Sequence, residues 1–380
     1  MDRDRKAGPL KKAMALGNVM IFFAFLTAMA VFTVIKPKEK FSENQNRYLA
    51  SFPSFSAKKL YSGSFTDGVE KYLCDHFINS DIFVAQRTKT ELLFRRDVNG
   101  IYILGDRLVE RIDTPDAEVT QKNLDSLNTF AQDCSKPVFL MLAPTQAEMY
   151  SDELPKNAPN PDQKAYIADV ASQLDGVTLI DLYSVLNVSR NDYIYYRTDH
   201  HWTSKGAYLA FAAGARAMGY EAEPVSDFDV FFAADDFRGS FYSKTLYDGI
   251  TPDKVSIYSL PDAPVPVMYV YSAIGAEPEV HEGLYYYEFL DRKDKYSTFL
   301  GTNQPMITIK TGNEGSRLLM FKDSYAHSLV PFLAGHYSEI TMLDTRYIQV
   351  PYTELCDPEE YDQVLFMYNV STFMDGIQLR

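Results

Sequence analysis

LLMFKDSYAHSLVPFLAGHYSEITMLDTRY, residues 318–347, is the stretch that sets the architecture. The apolar run 318–321 suits a strand buried on both faces, 325–333 has helix-like spacing around Pro331, and 339–343 returns to strand composition. Strand, helix and strand in close succession build a parallel sheet covered by helices. Ser324 falls in the turn between the first strand and the helix. There a hydroxyl is exposed at the strand's C-terminal end, and free helix amides point at a developing anion.

Working outward, the same alternation begins near residue 118, with further strands expected at 138–142, 177–182 and 363–368. Between Gly219 and Gly312 it fails. That segment is dense in Asp, Pro and Tyr, includes the run Tyr285-Tyr286-Tyr287, and reads as an insertion. N-terminal to the α/β region, 41–117 reads as an extension, with one or two helices within 68–96 and a hairpin over 98–112 turned by Gly100 and Gly105. No internal repeat or low-complexity tract interrupts the chain. The expected organisation is thus a tail, membrane segment and juxtamembrane stretch over 1–40, the extension over 41–117, and an α/β domain over 118–380 carrying the insertion at about 219–312.

The 23 residues Ala13–Ile35 carry no charge and, at ~1.5 Å each, cross a bilayer core. Arg3, Arg5, Lys6, Lys11 and Lys12 precede them, which keeps the short tail cytoplasmic, although Lys36, Lys38 and Lys40 weaken the asymmetry. An uncleaved anchor is the preferred reading. The competing one is a cleaved signal at Ala28-Met29-Ala30, and both place residues 41–380 outside the cytoplasm.

The 380 residues are 46% hydrophobic and 14% aromatic, enough for a large core, and the formal charge of -14 argues against a nucleic-acid partner. An uncharged or sugar-like substrate fits better. Cys74, Cys134 and Cys356 show no CxxC spacing, so neither a zinc ribbon nor a disulfide framework is indicated. One pair could bridge, but buried structural thiols are expected.

A serine nucleophile needs a base within reach and a carboxylate that orients the base. TDHHWTSKGAY, residues 198–208, offers both in Asp199 and His201, ahead of Thr203 and Ser204 as N-cap residues for a helix over 205–218. His200 is the rival base, but an adjacent ring turns less readily onto the Asp199 carboxylate. As metal ligands Asp199, His200 and His201 lack companions, since His76, His281, His327 and His336 stand at no helical ligand spacing. No metal and no cofactor is expected.

Residues 199–202 spell Asp-His-His-Trp, and with KDSYAHSLVPFLAGHYSEITMLDTRY and SENQNRYLASFP the chain resembles the DHHW family over most of 41–380. That family is similar to the SGNH-hydrolase-like acetyltransferases of alginate acetylation. The resemblance implies a triad of Ser324, His201 and Asp199 in an SGNH-like α/β/α sandwich. Ordinary SGNH enzymes place Ser first and Asp-His last, so the block order here implies a circular permutation. Counted from the Ser324 strand, 339–343 is second and 363–368 third, ending at Asn369, the position of an oxyanion-hole Asn. Strands 138–142 and 177–182 then become fourth and fifth, followed by the Asp-His loop.

Asn369, the backbone at Tyr325, and Arg346 are therefore oxyanion-hole candidates, with an Asp344–Arg346 ion pair as the structural alternative for Arg346. Trp202, Tyr325 and Tyr347 are candidates for stacking on sugar rings. The implied activity is O-acetyl transfer to an extracytoplasmic polysaccharide, with the acetyl group relayed by a membrane-bound O-acyltransferase. A carbohydrate O-acetyl esterase with the same triad and a non-catalytic polysaccharide-binding protein are the alternatives.

Overall fold

The computed structural model describes residues 9–92 and 97–379, so residues 93–96 at the end of the expected helical stretch, and the basic residues Arg3, Arg5 and Lys6, lie outside it. Two compact units divide at Thr90/Glu91. In the first, helix Pro9–Ile35 contains the apolar Ala13–Ile35, with mean hydropathy 2.3. Three short helices follow, Ala57–Tyr61, Ser64–Asp75 and Ser80–Glu91. Arg47, from the SENQNRYLASFP segment, donates to both carboxylate oxygens of Asp75 (2.6 and 3.0 Å), and Ala50 N–H adds a third bond at 2.7 Å. Cys74 is exposed and Cys134 and Cys356 half-buried, all as free thiols, which corrects the expectation of buried ones.

The second unit holds a small sheet of Asp97–Val98, Ile101–Leu104 and Arg107–Glu110, with Gly100 and Gly105 at positive φ in its turns. Its main body is an eight-stranded sheet. In chain order the strands are β1 (Val138–Ala143), β2 (Val177–Ile180), β3 (Val267–Tyr271), β4 (Glu279–Glu282), β5 (Met306–Lys310), β6 (Ser316–Lys322), β7 (Tyr337–Leu343) and β8 (Gln363–Asn369). Their spatial order is β4-β3-β5-β7-β6-β8-β1-β2. From β7 to β2 every pair is parallel. Counted from β6, the parallel strands lie in the order 2-1-3-4-5, a doubly wound arrangement whose ligand crevice opens where the order reverses.

β2 ends two residues earlier than its apolar run, because the Asp181 side chain accepts from Ser184 N–H (3.0 Å) and caps helix Leu182–Val188. The larger difference concerns the segment after Gly219. Three of its strands, β3, β4 and β5, extend the sheet in antiparallel fashion, β5 pairing directly with β7. Their signal is alternation of two, with Met268, Val270, Ile307 and Ile309 inward, which a search for helical periodicity passes over. The remaining strands of the segment, Asp229–Phe237 and Asp253–Ser259, form a hairpin of their own.

Alternation also divides the core in two. Leu318, Met320, Ile340, Met342 and Met367 face helices Ser204–Met218 and Ala326–Leu333, whose Phe211 and Phe332 rings stack at 5.7 Å. Leu319, Phe321, Leu343 and Phe366 face the other layer, where Phe130 of helix Ala117–Asp133 packs edge-on against Phe321 and Phe366. Both faces are covered, so the parallel strands read as continuous apolar runs.

Candidate active site

β6 and β8 end side by side at the point of order reversal, and β6 runs on into Asp323 and Ser324. Asp323 fastens the two ends together. Its Oδ2 accepts from the backbone N–H and the side-chain amide of Asn369, both at 2.7 Å, and its Oδ1 from Tyr325 N–H at 2.9 Å. Burial pushes the Asp323 carboxyl above its usual range, and these donors offset only part of the shift. Ser324 follows as a buried turn residue just before helix Ala326–Leu333. Its backbone N–H has no hydrogen-bond partner among the described residues.

The candidate base, His201, comes from the loop between helices Leu182–Val188 and Ser204–Met218. Tyr195 and Trp202 bridge across a tight loop closed by Thr203 N–H to Ile194 O (2.9 Å), and the Thr203 hydroxyl caps helix Ser204–Met218. Asp253 holds the loop's approach, accepting from Arg197 N–H (2.6 Å), Thr198 N–H (2.8 Å), the Thr198 hydroxyl (2.6 Å) and the Tyr193 hydroxyl (2.6 Å). Within the loop, Asp199 Oδ1 lies 2.6 Å from His201 Nδ1, and His201 Nε2 lies 2.7 Å from Ser324 Oγ. With Asp199 ionised, Nδ1 carries the ring proton and Ser324 O–H donates to Nε2. Burial raises the Asp199 carboxyl, but the charges of His200 and His201, with N–H donation from His201 and Ser240, outweigh it and hold the group well below the usual carboxylate range.

The family model described as "DHHW protein" matches residues 101–343. The chain belongs to the DHHW family. Among solved structures it is similar to a DHHW family protein from Eubacterium siraeum, with 25% identity and a TM-score of 0.64 over 74% of this chain and 96% of that one. It is also similar to Bacillus cereus PatB1 bearing a sulfonyl adduct, with 17% identity and a TM-score of 0.61 over 73% and 96%. No curated protein matches the sequence. The fold is an SGNH-like α/β/α sandwich with its blocks circularly permuted.

In the DHHW tetrad, His201 rather than His200 contacts both Asp199 and Ser324. His200 Nδ1 instead lies 2.8 Å from the Ser240 hydroxyl, with its ring against His201 at 3.7 Å. Burial, and then the charge of His201, pushes His200 down to about 4. The three residues also bring one ligand atom each within 4.8 Å of one another, while both ring nitrogens of His201 face Asp199 and Ser324.

Trp202 corrects an expectation. It is fully buried, its indole N–H donating to Tyr325 O (3.1 Å) and Ser328 Oγ (2.9 Å), so it holds the Ser324 helix and offers no face to a sugar. Tyr325 is equally buried, with its hydroxyl donating to His200 O and its N–H already given to Asp323. Tyr347 is half exposed but lies outside the lining of the cleft. Asn369 lines the cleft, yet its amide is shared between Asp323 and the Thr372 hydroxyl. Arg346 also lines it while paired with Asp344 through two bonds of 2.7 and 2.8 Å. Behind that pair lies Lys322, fully buried, whose ammonium donates to Asp344 (3.2 Å) and His327 Nε2 (2.8 Å), and burial lowers its pKa.

The cleft is about 290 Å³, with Ser324, His200, Thr145 and Ser240 beside an apolar wall of Phe241 and Ile112. Several residues that build this site went unread in the sequence. Tyr296, in the segment 219–312, stacks on His201 at 3.6 Å with planes 7° apart. Gly239 leaves room for Asp199, and Ser240 N–H donates to its Oδ2 at 2.7 Å. Gln146, just after β1, donates its amide to Asp199 O. None carries a local motif, and the Asp, Pro and Tyr density of 219–312 marks an insertion without pointing to the site.

Proposed function

We propose that this DHHW protein is an extracytoplasmic O-acetyltransferase that acts on a polysaccharide through Ser324, His201 and Asp199. The observation that carries the reading is the unbroken chain of hydrogen bonds from Asp199 through His201 to the Ser324 hydroxyl, opening on a cleft. Ser324 Oγ attacks the acetyl carbonyl as His201 Nε2 takes its proton. The tetrahedral centre collapses, the leaving oxygen receives that proton, and Ser324 is left acetylated. An acceptor hydroxyl then attacks the ester, giving its proton to His201, which returns it to Ser324 Oγ as the acetylated sugar leaves. Asp199 keeps the ring in the required tautomer and stabilises its charged form.

Ser324 N–H, which has no partner among the described residues, is the first oxyanion donor. The Asn369 amide, swinging from Thr372, is the second. The apolar Ala13–Ile35 helix anchors the chain as a single pass with the α/β unit outside, where acetyl groups are delivered by a membrane-bound O-acyltransferase.

The test uses the full chain in detergent with 4-nitrophenyl acetate and neutral oligosaccharides. Acetylated oligosaccharide detected by mass spectrometry supports transfer, and release of acetate alone with every acceptor makes the protein an esterase. Ser324→Ala must abolish both turnover and labelling by a sulfonyl fluoride. Turnover that persists in this variant refutes the triad.

A further inference from the structure

We propose that Tyr296 is a positioning residue for the base and nucleophile together, so that the segment 219–312 is a working part of the active site. The inference rests on the Ser324–His201–Asp199 reading. Tyr296 sits in a short 3-10 turn, Lys295–Thr298, and is buried. It touches both halves of the site. Its ring lies parallel to the His201 imidazole, 3.6 Å away and 7° off coplanar, and its hydroxyl donates to Ser324 O at 2.8 Å, with Ser328 Oγ at 3.1 Å.

An imidazole held by two hydrogen bonds along one line, Asp199 on one side and Ser324 on the other, is still free to rock about that line. The parallel phenol ring blocks the rocking on one face, while His200, at 3.7 Å and tilted by 38°, closes the other. An electron-rich face also steadies the positive charge that the ring gains when it takes the Ser324 proton. The hydroxyl fixes the carbonyl of the nucleophile itself, so the ring position and the Ser324 backbone are set by one side chain. Tyr296 does not itself line the cleft, and it acts through His201 and Ser324.

The segment is built to deliver this residue. Tyr286 N–H donates to Thr298 O at 2.9 Å, and Leu300 N–H to Leu284 O at 3.0 Å, closing a loop whose ends lie in the sheet at β4 and β5.

The test compares full-length Tyr296→Phe and Tyr296→Leu with wild type, using acetyl-ester turnover, the rate of sulfonyl-fluoride labelling and thermal melting. Tyr296→Leu should lower kcat by about 10–100-fold and labelling in parallel, with KM within about twofold. Tyr296→Phe keeps the stack and loses the tether, so it should recover most of that loss and fall only about fivefold below wild type. If the leucine variant does not fold, the phenylalanine variant decides. The inference is overturned if Tyr296→Phe matches wild type in both kcat and labelling rate while Ser324→Ala is inactive. Turnover in Ser324→Ala would instead overturn the underlying triad.

Discussion

If the proposed triad operates, a methyl group at position 239 should suppress turnover without unfolding the protein. Gly239 has φ -84° and ψ -155°, ordinary extended backbone, so Ala is not strained there by its own dihedrals. What it meets is Asp199. A Cβ on Gly239 would lie 2.3 Å from both Cβ and Oδ2 of Asp199, where ordinary contact begins at 3.4 Å. The carboxylate or the 239–240 backbone must therefore retreat by about 1 Å, and either movement breaks geometry that the site needs. Oδ2 is held by Ser240 N–H at 2.7 Å and Oδ1 by His201 Nδ1 at 2.6 Å. Misplacement of a catalytic group by ~1 Å costs ~100-fold in rate, or ~2.7 kcal/mol of barrier. Gly239→Ala should thus lower kcat for an acetyl ester, and sulfonyl-fluoride labelling of Ser324, by about 100-fold, while the protein still melts cooperatively. Gly335→Ala is the control, since its Cβ would meet Leu260 at a normal 3.5 Å. Wild-type kcat in Gly239→Ala would refute the claim that the Asp199 position limits catalysis.

Three further outcomes are expected. Because His200 binds its proton less readily in the fold than at its free value of 6.5, the unfolded chain takes up more protons between about pH 6.5 and 4, and stability falls as pH drops through that window. His200→Gln should therefore lose less melting temperature than wild type between pH 7 and 4.5, and equal losses would contradict this. Lys322→Met removes a buried partner of Asp344 but leaves Arg346 in place, so urea unfolding should show a loss of roughly 3 kcal/mol. Trp202→Phe takes the indole N–H away from Tyr325 O and Ser328 Oγ, leaving Ser328 Oγ the Tyr296 hydroxyl, which should cost roughly 1–2 kcal/mol of stability and leave KM for an oligosaccharide unchanged, whereas a raised KM would return Trp202 to the substrate.

The parallel half of the sheet was legible because strands covered on both faces are apolar throughout, and 318–321 or 363–368 need no periodicity to be noticed. The antiparallel half was not, since β3 and β5 are covered less evenly and alternate, a weaker pattern amid Asp and Pro. Asp199, His201 and Ser324 could be paired because a nucleophile, base and orienting carboxylate are few residue types with narrow geometric needs. Tyr296 could not, because the chain holds 27 tyrosines and nothing local separates one that stacks on an imidazole from one that fills a core. Asn369 illustrates a middle case. Its place at a strand end followed from cyclic order, but its amide bond to Asp323 depends on a partner that only the folded sheet brings near, while the one to Thr372 is local.

β8 is the last of the eight strands in chain order, yet it lies in the interior of the sheet, between β6 and β1. Before it arrives, the strands made earlier fall into two separate groups, β4-β3-β5-β7-β6 and β1-β2, each with a bare edge where β8 will sit. A chain made from its N-terminus onward therefore completes its sheet only when residues 363–369 are added. Closure of the sheet and completion of the candidate site become one event, with Asn369 closing onto Asp323 beside Ser324. Until then two open, apolar strand edges stand exposed, which makes the interval before closure the period of greatest aggregation risk and a natural point for a chaperone to act.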